Sequence, residues 1–211
     1  KAFIGFSIFI FIIYYLKLRN KILIFLSIFT IFFLTINSSH YVKNRYIDQF
    51  YSEIKTKDKR ENFLENNLYM KLYKSGIHVF KNNPWLGVGN KNYRVETCKA
   101  EKNLIYKEYW CLTHPHQVYI EMLSEHGIIG TIIILSIIFY LTFRLIRKIN
   151  DSRNYVQAGC LVFILINFIP LLPSGAFFNN FNLTLFMINL SLMYAINKET
   201  NIFSKKNGID T

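Results

Sequence analysis

Five apolar runs alternate with polar stretches along the 211 residues. The first runs from Ala2 to Leu16 and the second from Ile22 to Ile36, with only the basic segment Lys17 to Lys21 between them. Each is shorter than the ~20 residues that a ~30 Å hydrocarbon core requires. Flanking Tyr and Lys side chains can sit at the interface and close the gap. The pattern therefore predicts a hairpin of two membrane helices over residues 1–36. Residues 37–116 are polar and contain no span. A third run, Gly127 to Phe143, continues a helix that starts near Pro115, followed by a basic connection from Arg144 to Arg153. The fourth run covers Tyr155 to Leu172 and the fifth Phe181 to Ile196, with the helix-breaking turn Pro173 to Ala176 between them. Residues 117–197 thus read as three further membrane helices, and 198–211 as a polar tail. The fold class expected is an all-α polytopic membrane protein with about five transmembrane helices and one long loop that contains helical segments.

Composition agrees with this division. Apolar residues make up 52% of the chain and aromatics 17%, too much for an ordinary soluble domain, while the charge gathers in the loops. The short loops orient the spans, because Lys and Arg are retained on the cytoplasmic side. Lys17, Arg19 and Lys21, then Arg144, Arg147, Lys148 and Arg153, then Lys198, Lys205 and Lys206 all fall on one side if there are five spans. That side is the cytoplasm, and the 37–116 loop faces outward into the periplasm; long loops cross largely regardless of their charge. The net charge of +12 is absorbed by this arrangement, and no nucleic-acid partner is expected. The chain begins at Lys1 and is apolar at once, with no small-residue cleavage site after the first run, which points to a piece of a longer protein.

Cys98 and Cys111 both lie in the outward loop, with twelve residues between them. In an oxidising compartment they can close a short disulfide loop. Free thiols are the other reading. Cys160 lies within a span and reads as a buried thiol.

Two stretches of this region carry candidate chemistry. In the first, Asn83-Pro84 stops a helix whose apolar positions Leu68, Leu72, Ile77 and Phe80 recur at roughly helical spacing. Gly87 and Gly89 then allow a tight turn or a close approach to a ligand. Lys91 and Arg94 follow, and a turn with free N–H groups beside two cations can hold a phosphate. A solvated basic loop explains the same residues. In the second stretch, Pro115 fits a first helical position capped by Thr113 or His114, which places His116 in the first turn of the third membrane helix. A helix N-terminus disfavours positive charge, so the His116 imidazole is expected to be neutral and able to accept a proton. Two histidines at an interface without chemistry are the plain alternative. A metal site lacks further ligands at suitable spacing, and none is expected. Glu121 and Glu125 share one helix face and either line a polar cleft or face solvent. His126, before Gly127, marks the interface.

Together these stretches resemble the O-antigen ligase and O-antigen polymerase superfamily of bacterial membrane glycosyltransferases. The resemblance rests on Asn83-Pro84-Trp85-Leu86-Gly87-Val88-Gly89, and on His114-Pro115-His116-Gln117 followed by nine residues and Gly127. It covers roughly residues 20 to 197. It implies a GT-C-like helical bundle, no cofactor, no metal and no nucleotide sugar. It also implies an undecaprenyl-diphosphate-linked glycan as donor, lipid A–core or another glycan as acceptor, and a place in the inner membrane. His116 matches the family's essential His, which activates the acceptor hydroxyl. Arg94, assisted by Lys91, is the candidate for the diphosphate. His114, Gln117, Gly87 and Gly89 are substrate-binding candidates. The sequence departs from the family where Tyr69 and Tyr73 stand in place of an Arg and a Trp, with Lys71 and Lys74 nearby. It also has Gly130 where a Thr is usual, Thr131 following.

The expected reaction is inverting transfer by a ligase-like enzyme. A polymerase, or an enzyme that glycosylates protein, shares the same motifs. A transporter or scaffold is the reading of another class. It predicts charged or broken helices at mid-membrane depth, which these nearly charge-free runs do not show.

Overall fold

The computed structural model describes residues 5, 17–48, 51–52, 55–99, 105–106, 108–152, 154–170 and 172–201. The first apolar run, apart from Gly5, lies outside them, as do Arg153, Lys205 and Lys206. Among the described residues the secondary structure is helical throughout.

Helix α1, Leu18–Ser38, is 21 residues long, which gives about 31 Å at 1.5 Å per residue. Its apolar surface is almost wholly uncovered by protein. Ser27, Thr30, Thr35 and Ser38 each donate to the carbonyl four residues back, so their hydroxyls are satisfied within the helix. That combination suits lipid rather than water. The helix starts directly after Lys17, so most of the basic segment expected as a loop is its first turn. A short helix α2, His40–Lys43, runs into a π-helical turn over Asn44–Asp48.

Helix α3, Lys57–Asn66, is polar apart from Phe63 and Leu64 and is capped by Thr56. Helix α4, Leu68–Asn82, is capped by Asn67 and ends where Asn83-Pro84 predicts. Its buried face is Leu72, Tyr73, Ser75, Gly76 and Val79, whereas Leu68 and Ile77 point outward. Helix α5, Tyr93–Cys98, follows, and Cys98 is joined to Cys111 at an S–S distance of 2.12 Å.

Helix α6, Val118–Ser152, is the backbone of the structure, and it is broken at Gly127. The basic segment expected as a connection from Arg144 is helical as far as Ser152. Helix α7, Tyr155–Asn167, stops before the end of the fourth apolar run. Pro170 follows closely and cannot continue the helix, and the Tyr119 hydroxyl donates to the Phe168 carbonyl at 2.6 Å. Helix α8, Asn180–Ala195, is capped by Asn179. Helices α6, α7 and α8 enclose the main core, built on Met122, Ile138, Leu161, Ile164, Phe168, Phe177, Phe186 and Met193. Helix α4 packs across the start of α6, with Gly76 set against Ile120 and Pro115.

Among the described residues, two helices are long and apolar enough to cross a membrane: Leu18–Ser38, and α6 over Val118–Ile149. Helix α7, with 13 residues, is apolar but shorter.

Candidate functional site

The break in α6 organises the site. In an intact helix the N–H groups of Ile128 and Ile129 would bond the carbonyls of Ser124 and Glu125. Here both partners go elsewhere. Ile128 donates to the Pro84 carbonyl at 2.8 Å and Ile129 to that of Trp85 at 3.3 Å. The freed carbonyls of Ser124 and Glu125 accept from Val88 at 3.0 Å and Gly89 at 2.8 Å. The turn 84–89 thus satisfies the whole gap in the helix, as buried backbone groups demand. Such contact needs two residues without side chains. A Cβ on Gly127 would collide with the Trp85 carbonyl, and a Cβ on Gly87 with the backbone of Glu125. Gly127 has φ 63° and ψ −171°, a region that only glycine occupies readily.

Two buried carboxylates fix the flanking loops. Glu121 and Glu125 are each only 2% exposed. Glu125 accepts from the N–H of Lys91 at 2.9 Å and of Tyr93 at 3.4 Å. Glu121 accepts from Phe177 at 2.9 Å and Phe178 at 3.4 Å. The sequence suggested that the glycine turn could offer free N–H groups to a phosphate. They are not free: the α6 carbonyls and the Glu125 carboxylate occupy those of Val88, Gly89, Lys91 and Tyr93. An anion on this side would meet the Lys91 and Arg94 side chains, which line the cleft, rather than these N–H groups.

The start of α6 also differs from expectation. Pro115 is not its first residue, and His116 is not in its first turn. The helix begins at Val118, and the Gln117 side chain caps it by accepting from Ile120 N–H at 2.8 Å. His116 sits outside the helix with φ 57°. Its carbonyl accepts from Ser174 N–H at 2.8 Å, so the turn after α7 pins this left-handed residue. A non-glycine residue held there stores strain of the kind that gathers at functional positions.

Lys91, Arg94 and His114 line one cleft of about 530 Å³, with Glu121 and Glu125 at its base and the 176–181 segment as its other wall. The Lys91 Nζ bridges the cleft to Asn180 Oδ1 at 2.8 Å. Arg94 is exposed and, among the described residues, has no ion-pair partner. The His114 ring lies 4.0 Å, centroid to centroid, from that of His116. His116 in turn meets the edge of Tyr69 at 5.9 Å. Of the candidates from sequence, Lys91, Arg94, His114 and His116 come together. Gln117, Gly87 and Gly89 are engaged in capping α6 and filling its break.

The His114 pKa is lowered to about 4, first by burial, then by the neighbouring His116, with the Ser174 backbone offsetting part of this. Its Nδ1 pairs with Thr113 Oγ1 at 2.9 Å, and its buried Nε2 has no hydrogen-bond partner. His114 is therefore neutral near pH 7. Because its folded pKa is depressed, the unfolded chain binds more protons between pH 6.5 and about 4. The stability that depends on the neutral ring is whole above the upper limit and lost as pH falls through this window. Thermal unfolding in lipid nanodiscs should show a smaller loss over that range for His114→Gln than for the unaltered protein. Identical curves would contradict the assignment.

The 176–181 wall was not singled out by sequence, and Tyr69 entered there only as a departure from the resemblance; nothing local shows that it reaches His116. The second wall comes from a turn remote in the chain. Ser75 is a further organiser: it accepts from the Tyr93 hydroxyl at 2.8 Å and from Trp110 N–H at 2.9 Å, tying α4 to both sides of the loop. Burial pushes the Tyr93 hydroxyl up to about 12, so it remains a donor.

A family model described as O-antigen ligase matches residues 2–135, more than half of the chain. The chain belongs to the O-antigen ligase family. The match takes in both glycine-containing stretches, the histidine pair and the break in α6. Membership carries a membrane-associated, glycosyltransferase-like activity of the O-antigen ligase or polymerase type, with a glycan substrate and a lipid-linked donor. No curated protein and no solved structure matches the chain.

Proposed function

We propose that this O-antigen ligase family member transfers a glycan from undecaprenyl diphosphate to a hydroxyl of lipid A–core at the periplasmic face of the inner membrane. The observation that carries the reading is the joining of Arg94, Lys91 and His114 in one cleft, with the His116 ring in contact with that of His114 at 4.0 Å between centroids. In this reading the five-span, GT-C-like arrangement holds, and residues 37–116 lie outside.

The acceptor oxygen attacks the anomeric carbon, and His116 takes its proton. The bond from that carbon to the diphosphate oxygen breaks, and the lipid diphosphate leaves with the bonding pair. Direct displacement inverts the anomeric centre. Arg94, with Lys91, neutralises the leaving charge, an effect worth several kcal/mol in a water-poor setting. Because two side chains supply that charge, the scheme needs no divalent ion. A base in the role of His116 contributes roughly 10²–10⁴-fold. Neutral His114 packs beside it without adding a second positive charge.

Deletion and complementation test the assignment. Loss of a ligase leaves long glycan stranded on the isoprenoid, and the unaltered gene restores its transfer. Collapse of the glycan ladder to one repeat unit indicates a polymerase instead. Cytosolic labelling of residue 116 would overturn both versions.

A further inference from the structure

Trp85 and Leu86 sit at the tip of the turn that fills the α6 break, and they are 68% and 72% exposed. Their height along α6 is fixed, since the Pro84 and Trp85 carbonyls bond the N–H groups of Ile128 and Ile129. Those two isoleucines open the apolar run of α6, and both are exposed, as are Ile132 and Ile133 beyond them. The turn therefore adds a large aromatic and an aliphatic side chain to the uncovered apolar surface of a helix long enough to cross a bilayer. In water, two such side chains this exposed on a rigid turn would be unfavourable. Where a span meets lipid, tryptophan is enriched. A few residues beyond that turn come Lys91 and, in the first turn of α5, Arg94 of the cleft.

We propose that Trp85 and Leu86 form a lipid-facing wedge that enters the phospholipid acyl chains of the leaflet in which α6 begins its crossing. The wedge sets the depth of the turn, and so holds the cleft cations at headgroup level, where the charged end of a lipid-linked donor lies. The occupant is the bulk phospholipid of the leaflet. The inference rests on α6 crossing the bilayer and is independent of the transfer chemistry, so either can fail alone.

The test is tryptophan emission of the complete protein in phosphatidylcholine vesicles, compared with a Trp85→Phe variant. The difference isolates the Trp85 ring whatever other tryptophans contribute. The expected result is a blue-shifted Trp85 component, quenched by lipids brominated near the top of the acyl chain and little affected by aqueous iodide. Quenching by iodide instead would place the turn in water and overturn the proposal. Resistance to both quenchers would mean that protein covers the turn, and would overturn it equally. Trp110→Phe serves as the control, since it leaves Trp85 in place and should preserve the lipid-quenched component.

Discussion

A His116→Asn variant is expected to reach the membrane and bind donor normally, yet to transfer glycan roughly 10²–10⁴-fold more slowly. Asparagine is the informative replacement because it tolerates the left-handed conformation that His116 adopts at φ 57°. The bond from Ser174 to the backbone carbonyl of residue 116 then survives, and loss of activity reports the imidazole rather than a shifted turn. His116→Ala removes the ring as well, but lacks the relief of left-handed strain, about 1 kcal/mol, that asparagine brings. Both variants should lose activity alike, with the alanine variant unfolding at the lower temperature of the two. Transfer at the unaltered rate in His116→Asn would remove His116 from the chemistry.

The second large effect is structural. Gly127→Ala should destabilise the protein by roughly 3 kcal/mol or more, summing backbone strain and impaired burial of four polar groups. Its Cβ would strike the Trp85 carbonyl, so the turn 84–89 must leave the gap it fills. Lys91 and Arg94 would move with that turn, and activity should fall together with stability. Gly159→Ala on α7 is the matched control: its Cβ meets nothing within 4 Å, and alanine favours the helix. Equal tolerance of the two substitutions, measured by thermal unfolding in nanodiscs, would mean that the glycine interlock does not hold the structure together.

Features set by neighbouring residues were readable in the sequence. The end of α4 at Asn82 follows from Asn83-Pro84. Features set by remote partners were not. His116 lies outside α6 because Ser174, far along the chain, holds its carbonyl, and no local signal announces that bond. Glu121 and Glu125 read equally well as solvent-facing or cleft-lining, because what they bind is loop backbone. The Gly87–Gly89 turn looked like an ordinary turn after a helix or a phosphate cradle. Its function in the fold, filling the break in α6, shows only when Gly127 lies against it. Within the site, the cations and histidines were legible as residue types at the right order and spacing. The wall at 176–181 and the contact of Tyr69 with His116 needed three dimensions.

The central claim is that the lipid diphosphate sits between Arg94 and the histidine pair. Photocrosslinking states it most directly. An undecaprenyl-diphosphate glycan with a photoreactive group beside the diphosphate is incubated with the protein in native-lipid nanodiscs, irradiated, and the modified peptides are mapped by mass spectrometry. The account predicts adducts within 91–94, 113–116 and 176–181, diminished in Arg94→Ala and retained in His116→Asn. Adducts confined to the groove along Leu183, Met187 and Leu192, or to the basic end of α6 around Arg147 and Lys148, would contradict it.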